Sequence, residues 1–229
     1  MAKQFLIVGV NSAIGKEVFS LLTKEGHQVF TTSRSSFENP GRHFIMQNLD
    51  TFNKLDGLPN SLDGMLYCPG TINLKSIQRL EKDDVQNDLE INFFGAFNAL
   101  KDLLPRLKNE DGSSVVFITT VAAKIGMPMH ASIAAAKSAL QGFAISMAAE
   151  LAPRVAINCI APSLTHTPLA EFLLSSESKL QSAEERHPLK KINKPQSVAK
   201  TIELLMFAKE YGITGQIFNI DGGLSALKA

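Results

Sequence analysis

Gly9-Val10-Asn11-Ser12-Ala13-Ile14-Gly15 is the stretch on which the fold of this chain turns. The apolar run Gln4–Val10 leads into it and reads as a buried strand. Beyond it, Ile14, Val18, Leu21 and Leu22 recur at helical spacing. Glycine at a strand end lets the backbone turn tightly, and the amides of a following helix N-terminus face outward, ready for a pyrophosphate. The same letters also suit a plain strand–helix turn, so the rest of the chain has to decide between the two.

Outward from this turn, β-branched runs alternate with helical patterns. Further strands are expected at Gln28–Thr32, His43–Gln47, Gly64–Tyr67, Ser114–Thr119, Val155–Ile160 and Gln216–Ile220. Long helical patterns lie between them at Lys82–Lys108, before an Asp111-Gly112 turn, and at Ala131–Leu151, which stops short of Pro153. Another opens at Pro195 and runs to Lys209. That alternation is the mark of an α/β fold, a doubly wound, Rossmann-like domain whose seven-stranded parallel sheet carries helices on both faces. We expect one domain over residues 1–229, with a substrate-side lid at 165–190, where the chain turns polar and lacks strand signals.

Composition narrows the function. An apolar fraction of 45% with 20% charged residues rules out a disordered chain. Lys and Arg number 23 against 22 Asp and Glu, with no like-charge block, so nothing argues for nucleic acid or an anionic membrane as partner. Cys68 and Cys159 are too few for a disulfide framework or a zinc cluster; they point to a reducing, cytoplasmic setting and no metal. No apolar run approaches membrane-spanning length.

Several motifs in chain order are similar to those of the short-chain dehydrogenase/reductase family. The turn Val8 to Gly15 resembles its Thr-Gly-x-x-x-Gly-x-Gly, and Tyr67-Cys68-Pro69-Gly70 its Asn-Asn-Ala-Gly. Asn92 falls at its helix asparagine, and Asn158-Cys159-Ile160-Ala161-Pro162-Ser163 with Thr167-Pro168 resembles its Asn-x-Ile-x-Pro-Gly and Thr-Pro. Thr214-Gly215-Gln216 and Asp221-Gly222-Gly223 complete the series. The resemblance implies a nicotinamide dinucleotide held by Gly9, Asn11, Ser12, Ala13, Ile14, Gly15, Cys68, Gly70 and Pro162. It also implies adenine contacts at Asn48-Leu49 and a carboxamide contact at Thr167. Pairing through the two long helices, into a homodimer or homotetramer, is implied as well.

An NAD enzyme usually carries a carboxylate at the end of the second strand. Here that strand ends in Ser33-Arg34, an ending that resembles NADP-type relatives: a guanidinium beside a hydroxyl suits a 2′-phosphate. The expectation is NADP(H) over NAD(H), against the plainer alternative of a solvated surface arginine.

The family's proton chemistry uses a serine, a tyrosine, a lysine four residues after it, and the helix asparagine. Here Thr120 stands for the serine, Lys137 for the lysine and Asn92 for the asparagine, but the tyrosine position is Ile133. Isoleucine donates no proton. The enoyl-reductase branch places its tyrosine seven residues before the lysine, which here is His130, a candidate proton donor set against the plainer reading of a polar helix-start residue. Two readings stay open: an NADP(H) oxidoreductase acting on a small-molecule carbonyl, alcohol or activated alkene with a non-standard proton donor, or a catalytically inactive, cofactor-binding or scaffolding relative.

Overall fold

The computed structural model describes residues 2–39, 42–109 and 112–228; Asp111 of the expected turn lies outside them. Seven parallel strands form one sheet: β1 (Gln4–Val8), β2 (Gln28–Ser33), β3 (His43–Ile45), β4 (Gly64–Tyr67), β5 (Ser113–Ile118), β6 (Val155–Pro162) and β7 (Ile217–Ile220). Their order is β3-β2-β1-β4-β5-β6-β7. The chain therefore starts mid-sheet, builds to one edge, then returns to the other side of β1, and this reversal opens a crevice beyond the ends of β1 and β4. Registration aligns that rim: Val8 pairs with Thr32 on one side and Tyr67 on the other, Tyr67 with Phe117, and Phe117 with Cys159.

Burial on both faces explains the strand sequences. Phe5, Leu6, Ile7 and Val8 are all fully buried, because helices cover the sheet above and below. On one face, α1 (Ala13–Lys24) and α6 (Pro195–Leu205) pack Ile14, Val18, Leu22, Val198 and Ile202 against Phe5, Ile7 and Val29. On the other, α3 (Gly95–Leu107) and α4 (Ala131–Leu151) bring Leu100, Leu103, Leu140 and Ala144 onto Leu6, Met65 and Phe117.

Three differences from the sequence expectations have physical causes. β1 ends at Val8, not Val10, because Gly9 takes φ +78° and the amides of Gly9 and Val10 both turn to the Thr32 carbonyl. The Lys82–Lys108 helix is interrupted: α2 (Lys82–Leu89) passes through a π turn at Glu90–Phe94 before α3 begins. β6 runs two residues past Ile160, since Ala161 and Pro162 find Asn219 and Ile220 of β7 as neighbours. Between β6 and α6 lie a 3-10 turn at Pro168–Leu173 and α5 (Glu177–Glu185). No described helix is long and apolar enough to cross a membrane.

Candidate active site

The rim is shaped first by the turn after β1. A Cβ on Gly9 would lie 2.9 Å from the Pro69 ring, so strand-end backbones approach here too closely for any side chain. Ser12 caps α1, its Oγ accepting the Gly15 amide at 2.9 Å, while the amides of Ala13 and Ile14 in the first turn have no helical partner. Backbone donors at a helix N-terminus beside bare glycine form a cradle that fits a dinucleotide pyrophosphate.

Asn11 belongs to the neighbouring loop rather than to that cradle. Its Nδ2 donates to Ser33 Oγ at 3.0 Å and Ser35 Oγ at 2.9 Å. Ser33 Oγ donates to the Ser35 carbonyl at 2.6 Å and is buried, so its hydroxyl is already engaged. His43 closes the network. Its Nε2 donates to the Ser35 carbonyl at 3.0 Å, which leaves Nδ1 to accept the Thr31 hydroxyl at 3.0 Å. Arg34 and Ser35 stand exposed on this braced loop. Neither Ser35 nor His43 was anticipated; the signal was only their closeness to Ser33-Arg34. Across the rim, Asn48 is exposed, and Leu49 presses on α3, with its carbonyl taking Asn98 Nδ2 at 3.1 Å.

The chemical groups gather at the ends of β4 and β5. Lys137, buried on α4, donates from Nζ to the Ile118 carbonyl at 2.7 Å. A point beside the Gly70 backbone lies 3.2 Å from Asn92 Oδ1 and 3.8 Å from Lys137 Nζ, so amide and amine face the same spot. Burial lowers the Lys137 pKa to about 8; Cys159, Cys68 and Asp88 act the other way. Burial also pushes the Cys68 and Cys159 thiols up to about 12. Thr120 Oγ1 accepts the Ala122 amide at 3.3 Å, which leaves its O–H free to donate outward. Ile133 is buried.

Asn92 sits inside the π turn, and the turn aims it. Its Nδ2 donates to the Asp88 carbonyl at 2.9 Å and to Thr71 Oγ1 at 2.8 Å. Tyr67 Oη donates at 2.7 Å to the Ile91 carbonyl, a group that the widened helix leaves for an outside partner. At Gly95 a Cβ would collide with Tyr67 Oη and lie 2.9 Å from Leu49 Cδ1, so only glycine lets strand and helix meet there. Tyr67 is thus a buried prop of the helix.

His130 is not on α4 but immediately before it, and its Nδ1 pairs with the Pro128 carbonyl at 2.7 Å. The ring folds back on its own loop, which Met129, with φ +64°, bends sharply. The helix-face spacing to Lys137 therefore does not extend to His130. Pro162 ends β6, and Thr167 stands just before the 3-10 turn, half-buried. Asn158 is a clamp: Nδ2 donates to the Ile213 carbonyl and Oδ1 accepts the Gln216 amide, fixing the connection into β7.

Residues 46–225 match the family described as enoyl-(acyl carrier protein) reductase. The chain belongs to the short-chain dehydrogenase/reductase family. Within that family, the 3-oxoacyl-[acyl-carrier-protein] reductase FabG of Thermotoga maritima is 28% identical over 97% of both chains. A 3-oxoacyl-[acyl-carrier-protein] reductase of Synechocystis is 30% identical over 93% of this chain and 83% of that one. Among solved structures, the Thermoplasma acidophilum aldohexose dehydrogenase superposes with a TM-score of 0.90 at 25% identity, covering 99% of this chain and 95% of that one. ElxO with NADP bound superposes at 0.87, also at 25% identity, covering 99% and 100%. The family binds nicotinamide cofactors, and the open α1 cradle fits one. Asp88 and Thr71, which bond Asn92, and Ser132, which bonds Asp88, escaped the sequence reading; the four-residue spacing of Asp88 and Asn92 was the available signal.

Proposed function

We propose that this chain is an NADP(H)-dependent oxidoreductase that reduces a carbonyl or an activated alkene, or oxidises the corresponding alcohol. The observation that carries this reading is that Asn92 and Lys137 face one spot at the rim beside the α1 cradle, with Thr120 following β5, a bare Arg34 and no carboxylate at the end of β2. When bound, the nicotinamide supplies a hydride. The α1 amides, with Cys68, Gly70 and Pro162 around them, hold the pyrophosphate and nicotinamide portions. Arg34 and Ser35 receive the 2′-phosphate, and Thr167 the carboxamide. Ser33 and Asn11 brace the phosphate loop from behind. Asn48 and Leu49 border the adenine.

Lys137 holds the nicotinamide ribose, and Thr120 donates its hydroxyl hydrogen to the substrate oxygen. Since Ile133 has no proton to give, the proton is relayed from solvent through a water held at the spot that Asn92 Oδ1 and Lys137 Nζ both face, the water taking a solvent proton as it passes its own on. Residues 165–190 act as the substrate lid: Leu169 and Phe172 stand half exposed on it, and its far end is tied down by buried His187, whose Nε2 accepts the Ser163 hydroxyl at 2.9 Å. The relatives' names make 3-oxoacyl and enoyl thioesters the first substrates to try.

Ile133 also favours a second reading, a cofactor-binding protein without turnover. Titrating NADPH and NADH, then following NADPH consumption with ketones, quinones, 3-oxoacyl and enoyl thioesters, separates the two. Turnover on any of them establishes the enzyme; tight NADPH binding with none favours the second reading; no dinucleotide binding sinks both.

A further inference from the structure

The loop that follows β2 is bonded from behind in a way that sorts its polar groups. The Ser35 carbonyl accepts the Ser33 hydroxyl at 2.6 Å and His43 Nε2 at 3.0 Å, so both of its lone pairs are engaged on the protein side. The Arg34 carbonyl accepts Gln47 Nε2 at 3.3 Å, and the Ser36 carbonyl accepts Asn11 Nδ2 at 3.4 Å. The donors of the same loop are left for a ligand. Ser35 Oγ accepts Asn11 Nδ2 at 2.9 Å, which leaves its own hydrogen to donate, and Arg34 is exposed beside it. Acceptors are turned in and donors out. His43, on β3, is the far anchor: its Nδ1 accepts the Thr31 hydroxyl, and Thr31 Oγ1 is itself held by Asn39 Nδ2 at 3.2 Å. A carbonyl has no hydrogen to give, so Nε2 must carry the one between His43 and Ser35.

We propose that His43 is a specificity-determining positioning residue: by holding the Ser35 carbonyl inward, it sets the preference of this site for a 2′-phosphate over a bare ribose hydroxyl. The inference deepens the reading of Arg34 and Ser35 as the 2′-phosphate subsite and rests on it. A ribose hydroxyl donates as well as accepts, so an outward acceptor rewards it, which is how a carboxylate at this strand end serves NAD. An ionised phosphate only accepts, and the same outward acceptor would face its oxygens with no hydrogen between them. It gains instead from hydroxyl and guanidinium donors, whose bonds to an anion are charge-assisted. Without the Nε2 donor the Ser35 carbonyl keeps one partner of two and can swing toward the ligand, which helps the hydroxyl and harms the phosphate. Arg34 supplies an attraction, whereas His43 removes a repulsion.

The test uses 2′,5′-ADP and ADP, which differ only in the 2′-phosphate and need no turnover. In calorimetric titrations His43→Phe, which keeps a flat ring without a donor, should weaken 2′,5′-ADP at least about fivefold, the worth of one hydrogen bond, and leave ADP as tight or tighter. His43→Gln, with an amide nitrogen at similar reach, should restore most of that loss. Equal losses in the two variants, or a preference for 2′,5′-ADP untouched by His43→Phe, overturn the role of His43 alone. An unaltered protein that binds both nucleotides equally, or neither, removes the NADP(H) reading and this proposal with it. Should His43→Phe fail to fold, the ring itself decides. Long-range 1H–15N spectra of the unaltered protein above neutral pH, with His43 assigned by the signals lost in His43→Gln, must show the neutral ring carrying its hydrogen on Nε2. A hydrogen on Nδ1 overturns the proposal.

Discussion

At Arg34 a single guanidinium is exposed on a loop braced by Asn11, Ser33 and His43, which holds it in place without neutralising it. Arg34→Ala should therefore weaken NADPH by roughly 1.5–3 kcal/mol, the range for a hydrogen bond to a charged group, and leave NADH nearly unchanged. Paired titrations check this, and equal losses for both cofactors would remove the assignment. Ile133 is the complementary case, a missing group in a site whose neighbours remain. Ile133→Tyr should create or raise ketone reduction on the order of 10²–10⁴-fold, the usual worth of a general acid. A folded, NADPH-binding variant with no gain would show that the pocket has diverged beyond its proton donor. Residue identities at fixed spacing were legible in the sequence: Lys137 and Asn92 face one spot beside Gly70. What their side chains pair with was not. His130 counts correctly to the lysine, but the bend at Met129 turns its ring to Pro128. Asp88 looks like any acid of a polar helix beside Asp83 and Asp84, until the fold buries it.

Among the elements, the strands and α4 could be read to within a residue or two, because apolar periodicity and flanking proline mark where burial starts and stops. The π turn could not. Nothing local in Glu90–Phe94 favours a wider helix; the widening depends on Tyr67, distant in sequence, satisfying the Ile91 carbonyl, and on Gly95 giving room for it. Tyr67→Phe leaves that half-buried carbonyl without its partner and should cost about 1–3 kcal/mol in urea unfolding. Because the same turn aims Asn92, turnover should fall further than stability alone explains. Loss of stability with unchanged turnover would mean that the turn does not need its prop.

Taken whole, the molecule brings together groups whose titrations oppose each other. Folding lowers the Lys137 pKa from 10.5 to about 8, so above about 8 the unfolded chain holds the extra proton and stability rises with pH. Folding raises the two thiols from 9.0 to about 12, so above 9 the unfolded chain loses protons that the folded one keeps, and stability falls. Because the thiols of the unfolded chain begin to ionise before pH 9, the unfolding free energy should climb by only about 0.5 kcal/mol between pH 7 and 9, peak just below 9 and decline beyond it. Denaturation across that range checks the peak; Lys137→Met should abolish the climb and Cys159→Ala should soften the decline. The order of the sheet, and with it the crevice at β1 and β4, follows from the succession of strands and helices that the sequence displays. The bond from Lys137 on α4 to the Ile118 carbonyl of β5 follows only from packing. Those two thiols have one more consequence. Neutral and enclosed, they are poor nucleophiles, so electrophiles such as iodoacetamide should modify them only when the rim opens transiently. The rate of alkylation at Cys68 and Cys159 is then a clock for that opening, and a ligand seated over the rim should slow it.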